Sequence, residues 1–282
     1  VKSLVTRTIT VLILVPVVFA VILLMPWLHH LAINLICIVV STLGAFETAH
    51  FFASRGLPVN GKLFPMAGGL LPLITYLEVA GFVPSGTILP CLVAIVAIIL
   101  AREIFVSRAA DFEKILPRIA SSVAVVIYPG LFLSYVVRFS SLNTGGMTLV
   151  VFLLIVFAND VVAYLAGSFL GSGSRGLLPV SPNKSLVGFV GGLLGALLFA
   201  YLCWLVFPSV FAGSLALALG IGAGVGILTI IGDLIESAMK RSSGLKDSGA
   251  IIPGRGGVLD SIDSILFASP LCYYLLVVAG GG

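Results

Sequence analysis

Residues 210–263 read VFAGSLALALGIGAGVGILTIIGDLIESAMKRSSGLKDSGAIIPGRGGVLDSID, an uncharged apolar run followed by a dense charged window. The run 210–232 exceeds the roughly 20 residues an α-helix needs to cross a bilayer. Within lipid every backbone N–H and C=O must be satisfied inside the segment, so such a run is helical. The window after it holds Asp233, Glu236, Lys240, Arg241, Lys246, Asp247, Arg255, Asp260 and Asp263, in a chain of which only 9% is charged.

Spacing says how these charges are presented. Asp233, Glu236, Ser237, Lys240 and Arg241 fall at i, i+3, i+4, i+7 and i+8, on one face if the apolar helix continues through them. Asp260 and Asp263 are again i, i+3, after a PGRGG segment that breaks a helix and before a new apolar run. Both carboxylates are therefore expected in the first turn of the next helix. Two acidic pairs flank a glycine-rich basic loop. Carboxylates bind hard divalent cations, and Lys, Arg and loop N–H groups bind phosphate, so the set suits a metal-bound polyphosphate.

Working outward, the whole 282-residue chain is 60% hydrophobic, with a mean hydropathy of +1.24, far above that of a soluble core. The expected fold is all-α and polytopic. Its 32 glycines and 14 prolines lie inside apolar runs, where Gly lets helices approach and Pro is tolerated. Cys37, Cys91, Cys203 and Cys272 stand singly in apolar segments without metal-ligand spacing and read as small packing residues, not disulfides. The first apolar run is followed by His29 and His30 in place of a small-residue cleavage site, so it reads as a membrane helix and not a cleaved leader.

Apolar runs at 9–28, 31–53, 63–83, 87–106, 119–138, 147–170, 186–207, 210–232 and 261–279 give nine transmembrane helices. The short VPSG gap between the third and fourth also allows a re-entrant pair. Lys2, Arg7, Arg55, Lys62, Arg102, Arg108, Lys114, Arg118, Arg175, Lys184, Lys240, Arg241, Lys246 and Arg255 all fall on one side of these crossings. Only Arg138 lies near the opposite connections. By the positive-inside rule the N-terminus and the charged loops are cytoplasmic and the C-terminus is outside, with the charged window facing the nucleotide pool. The basic residues thus serve topology, and nucleic-acid binding is not expected. Residues 101–118 read either as an amphipathic surface helix or as a solvated connector. Polar residues inside spans concentrate after residue 155, so residues 1–118 read as scaffold and 119–282 as the part carrying the site.

Two further polar intrusions belong with the window. Asn159 and Asp160 lie mid-helix in VFANDVVAYLAGSFLG, and an aspartate at the bilayer centre costs about 2.5–3.5 kcal/mol unless a cavity, partner or cation receives it. In LLPVSPNKSLVGFVGG, residues 177–192, Ser181 with Pro182 reads as a helix start, and Ser181, Ser185 and Lys184 suit a phosphate at a helix N-terminus. Their structural alternative is a capped helix with a topology-setting lysine. Asp160, Asp233, Asp260 and Asp263 are carboxylates of one sign that repel unless a cation screens them. His29, His30 and His50 belong to the first two helices, which disfavours zinc and favours an all-oxygen Mg²⁺ site. No Ser-His pair or reactive Cys points to a covalent mechanism. Glu47 and Glu78 also lie in predicted spans, with no role assigned by the sequence.

The window SAMKRSSGLKDSGAIIPGRGGVLDSID resembles the C-terminal signature of the CDP-diacylglycerol synthases, or phosphatidate cytidylyltransferases: S-x-x-x-K-R-x-x-x-x-K-D-x-G, a Pro-Gly-His-Gly-Gly segment, then D-R-x-D. Ser237, Lys240, Arg241, Lys246, Asp247, Gly249, Pro253, Gly256, Gly257, Asp260 and Asp263 stand where it requires them. DVVAYLAG and SPNKSLVGFVGG are similar to two further elements of that family, so the resemblance covers about residues 155–275. Arg255 replaces the signature His, Ser261 the Arg between the aspartates, and Val187 a usual Glu. Arg255 keeps a cation for phosphate but is no proton carrier near neutral pH.

The resemblance implies that CTP and phosphatidate give CDP-diacylglycerol and pyrophosphate, at the cytoplasmic face of the inner (plasma) membrane, with one or two Mg²⁺ ions. It implies Asp233, Asp260, Asp263 and Asp160 as metal ligands and Asp233, Lys240, Arg241, Lys246 and Asp247 as catalytic. Ser181, Lys184, Ser185, Ser237, Lys240, Arg241, Lys246 and Arg255 would bind substrate phosphates. Two rival readings are a CTP-dependent kinase of a lipid alcohol and a transporter of an anionic substrate. Glycine faces such as GFVGGLLGA are equally open to a neighbouring helix or to a second protomer in a homodimer.

Overall fold

A computed structural model describes residues 2–57, 59, 62–106, 109–176 and 178–280. Arg108, counted above for topology, and Leu177 lie outside the described residues. The described chain is helical apart from isolated bridges, Arg175 with Ser185 and Ile252 with Gly256. It is an all-α polytopic membrane protein. Seven helices among the described residues are long and apolar enough to cross a membrane; two shorter apolar helices, Leu12–Leu24 and Leu63–Val79, occupy the other two predicted spans.

The chain divides into two compact units, Val1–Ser141 with Ser242–Ser261, and Leu142–Arg241 with Ile262–Gly282. The loop that carries the second half of the signature is thus part of the same unit as the N-terminal helices.

In the first unit α1 (Lys2–Leu24), α2 (Trp27–Ala53), α3 (Leu63–Val79), α4 (Ile88–Val106), α5 (Ile115–Val126) and α6 (Phe132–Arg138) follow in order. A π-helical turn, Ile127–Leu131, joins α5 to α6 at Pro129, whose missing N–H interrupts the α-helical ladder. Gly68 of α3 is a point of close packing. Ser41 Oγ of α2 donates to its carbonyl at 2.8 Å, and a Cβ on Gly130 would stand 2.7 Å from that same oxygen. Phe64, Leu71, Ile88, Ile95, Ile99 and Val126 form a buried cluster between α3, α4 and α5.

Within 101–118, α4 runs to Val106, Ala109–Lys114 form a 3₁₀ turn and Ile115 starts α5. Neither sequence reading of that stretch describes it fully, because Arg118 turns inward and donates to Glu103 Oε2 at 2.7 Å, both side chains buried. Glu78 acquires a structural role. Its Oε2 lies 3.3 Å from Arg138 Nη2 and its Oε1 accepts from the Ile88 N–H at 2.5 Å, capping the start of α4. The one basic residue near the sparsely charged connections is thereby neutralised.

The second unit contains α7 (Gly145–Phe169), α8 (Leu186–Val206), most of α9 (Leu215–Ser243) and most of α10 (Leu259–Gly280). The glycine face of α8 packs on α7: a Cβ on Gly191 would stand 2.5 Å from Ala166 Cβ, and one on Gly195 2.8 Å from Val162. That face is used within the chain, which removes it as a route to a dimer. Asn159 of α7, fully buried, donates from Nδ2 to the Gly226 carbonyl of α9 at 3.2 Å.

Candidate active site

α9 continues through Asp233 to Ser243, so the predicted charged face exists as one helix surface. Lys240 Nζ lies 2.5 Å from Glu236 Oε2, one turn apart on it. Gly232 precedes the first aspartate for a packing reason. A Cβ there would stand 2.5 Å from the Asp263 carbonyl, so the backbones of α9 and α10 meet only because the position carries no side chain. That approach brings carboxylate oxygens of Asp233, Glu236 and Asp263 within 4.8 Å of one another, with Glu236 and Asp263 buried. Asp263 Oδ1 accepts from the Ser264 N–H at 2.7 Å.

Lys184, from the turn before α8, forms an ion pair with Asp233. A cavity of about 450 Å³ opens beside the pair, lined among others by Asp160, Tyr164, Arg175, Lys184, Ser185 and Asp233. Neighbouring residues on α7, Asn159 and Asp160, both line the cavity, and Asn159 also ties α7 to α9.

The expected helix start at Ser181 is corrected. α8 begins at Leu186, and Ser185 is its N-cap, extended at φ −120° and ψ 151°, with Oγ accepting from the Gly188 N–H at 3.0 Å. The Pro182-Asn183-Lys184 turn delays the helix, and a serine in extended backbone satisfies an orphan N–H of its first turn. Ser185 is buried and spends its oxygen on that cap. Ser181 lies in the preceding turn, where its carbonyl accepts from the Lys184 N–H at 3.1 Å.

In the first unit the signature continues as a tight turn. Ile252 and Gly256 exchange backbone hydrogen bonds of 2.8 and 3.0 Å, closing a turn that contains Arg255, half-buried. α10 starts at Leu259, so Asp260 lies in its first turn as expected, whereas Asp263 comes a full turn later. Asp260 Oδ2 accepts from Ser248 N at 2.9 Å and Gly257 N at 2.8 Å, and lies 2.9 Å from Ser248 Oγ, whose single proton it shares with Glu47 Oε2. Lys246 and Asp247 are exposed in the loop, and Arg241 is exposed at the end of α9. Ser237 is half-buried on the α9 face.

Two carboxylates outside the expected set are brought to signature residues by the fold. Glu236 joins Asp233 and Asp263, and the i, i+3 spacing in DLIE already carried that signal. Glu47 of α2 accepts from Ser248 Oγ, Val258 N and Leu259 N, each at 2.9 Å. No pattern in the sequence pairs it with residues more than 200 positions away.

The chain is 37% identical over 158 residues to the phosphatidate cytidylyltransferase of Bacillus subtilis (strain 168), covering 54% of this chain and 56% of that one. It is 38% identical over 140 residues to the phosphatidate cytidylyltransferase of Synechocystis sp., covering 48% and 45%. With that of Helicobacter pylori (strain ATCC 700392 / 26695) it shares 34% over 184 residues, 64% of each. The chain thus spans 45% to 64% of the length of these three relatives. The model of the cytidylyltransferase family matches residues 5–279. With that match running through every helix of both units, the chain belongs to the cytidylyltransferase family.

Proposed function

We propose that the protein is a nucleotidyltransferase of phospholipid synthesis, which transfers the cytidylyl group of CTP to phosphatidate and releases pyrophosphate. The observation that carries this reading is the three-carboxylate cluster of Asp233, Glu236 and Asp263, with Lys184 on Asp233 at the rim of a cavity between membrane helices. The relatives named as phosphatidate cytidylyltransferases support it.

A phosphate oxygen of the lipid attacks the α-phosphorus of CTP, the bond from that phosphorus to the β-phosphate bridging oxygen breaks, and pyrophosphate leaves. No protein nucleophile takes part. The chain's contribution is to position the two phosphates and offset their charge, which is where most of the acceleration in such transfers arises. Lys184 and Arg175 border the cavity with cations. Arg241 and Lys246 of the signature, and Arg255 in place of its His, are the further cations assigned to phosphate.

Asp233, Glu236 and Asp263 fit a hard divalent ion: all donors are carboxylate oxygens, close enough to share one ion, with Lys184 paired to Asp233 and Lys240 to Glu236. Mg²⁺, when bound there, supplies neutralisation of developing phosphate charge. Asp160 at the cavity wall is the further candidate for holding it. The Lys and Arg distribution supports a site on the cytoplasmic side of the membrane.

The test is transfer in detergent micelles from CTP labelled separately at the α- and γ-phosphates, with Mg²⁺ or with EDTA. Metal-dependent α-label in lipid and γ-label in pyrophosphate are expected. γ-Label in lipid would establish the kinase, and no transfer of either label would overturn both enzyme readings.

A further inference from the structure

The N-terminal helices hold an ionisable group that the transfer chemistry does not explain. Glu47, near the C-terminal end of α2, is 6% exposed, and no Lys or Arg pairs with it among the described residues. Its charge is met by three donors from the signature loop. Oε1 accepts from Val258 N; Oε2 accepts from Leu259 N and Ser248 Oγ. Leu259 is the first residue of α10, so two N–H groups at that helix start are satisfied by a carboxylate from a helix over 200 residues earlier. The positive end of the helix dipole adds to the attraction.

The loop is shaped around this carboxylate. A Cβ on Gly249 would stand 2.5 Å from Glu47 Oε1, and one on Gly257 2.5 Å from Oε2. These glycines leave the space into which Glu47 reaches. Ser248 Oγ lies 2.9 Å from both Glu47 Oε2 and Asp260 Oδ2, and so links the two carboxylates. α2 also holds the other end of the loop. Ser54 Oγ donates to the Ser243 carbonyl at 2.9 Å, and Arg55 Nε donates to that of Ser242. One helix therefore grips the loop at its entry and at its exit.

We infer that Glu47 is a positioning residue: supplied from α2, it caps α10 and, through Ser248, holds Asp260 and the 252–257 turn in a single geometry. The inference rests on the transfer reading above, and Glu47 acts through the loop without touching substrate. Glutamine at this position keeps the size but turns one acceptor oxygen into an NH₂ that faces donors.

The test compares wild type, Glu47→Gln, Glu47→Asp and Ser248→Ala as full chains in detergent, by hydrogen exchange without substrate and by CTP transfer. In Glu47→Gln, peptides spanning 247–260 are expected to exchange about tenfold faster or more, with those of α7 and α8 unchanged. Its kcat is expected to fall about tenfold or more, with KM for CTP within about threefold and the Mg²⁺ activation constant raised about tenfold. Glu47→Asp, which keeps the charge, recovers part of both effects, and Ser248→Ala shows them at smaller size. The double variant with Glu47→Gln is no worse than Glu47→Gln alone. Unchanged loop exchange in Glu47→Gln, or exchange raised equally in every helix, would overturn the inference. Should Glu47→Gln not fold, unchanged loop exchange in Ser248→Ala would overturn it. An inactive wild-type chain with its loop protection intact would overturn the transfer reading instead.

Discussion

A Cβ built on Gly232 of α9 would stand 2.5 Å from the backbone carbonyl oxygen of Asp263 on α10. Backbone cannot rotate away as a side chain end can, so any residue larger than glycine has to separate the two helices. Gly232→Ala is expected to cost about 1–3 kcal/mol of stability through overpacking. Because the separation falls beside Asp233, transfer is expected to drop more than the loss of folded protein explains. Thermal unfolding and CTP transfer measured on the same preparation check both. Wild-type transfer in Gly232→Ala would show that this approach is not needed for the site.

Lys184 and Asp233 form an ion pair at the cavity, so removing either leaves the other's charge unmatched there. Lys184→Met and Asp233→Asn are each expected to lower kcat on the order of 100-fold, the scale for loss of one preorganised electrostatic group. Glu236→Gln, which leaves that pair intact, is expected to raise the Mg²⁺ activation constant about tenfold or more if it belongs to the ion-holding set. Turnover titrated against Mg²⁺ separates the cases. Normal turnover of Asp233→Asn at saturating Mg²⁺ would remove Asp233 from the metal assignment.

Glu103 and Arg118 form a buried pair in the first unit, away from the signature loop. Glu103→Ala leaves a buried guanidinium without its carboxylate and is expected to destabilise the protein by about 3–5 kcal/mol. Replacing both by apolar residues of similar volume is expected to cost much less, since two desolvation penalties disappear together. Unfolding of the single and double variants is the measurement, and equal losses in both would contradict the account.

Much of this protein was legible along the chain because its signals are local. A run such as 210–232 has to be helical in a membrane wherever its neighbours lie, and the i, i+3 and i+4 spacing in DLIESAMKR places its charges on one face before any packing is known. The same holds for the break at PGRGG and for Asp260 in the first turn of α10. Local signals were also misread at one point. Ser181-Pro182 has the form of a helix start, but Ser185, four residues on, adopts the extended backbone and captures the Gly188 N–H.

Sequence alone determined the class of fold, the helix order and the chemistry of the charged window, since each depends on composition and on spacings shorter than a few turns. Tertiary structure alone decided the rest. It put Glu236 rather than Asp260 among the clustered carboxylates of the second unit, set the α8 glycines against α7, and gave Glu78 to Arg138. It also placed Glu47 at the start of α10. For Glu78 and Glu47 the physical reason is the same: a buried polar group must find partners wherever the packed backbone brings them. For Glu47 that meant donors more than two hundred residues away, a distance that no periodicity encodes.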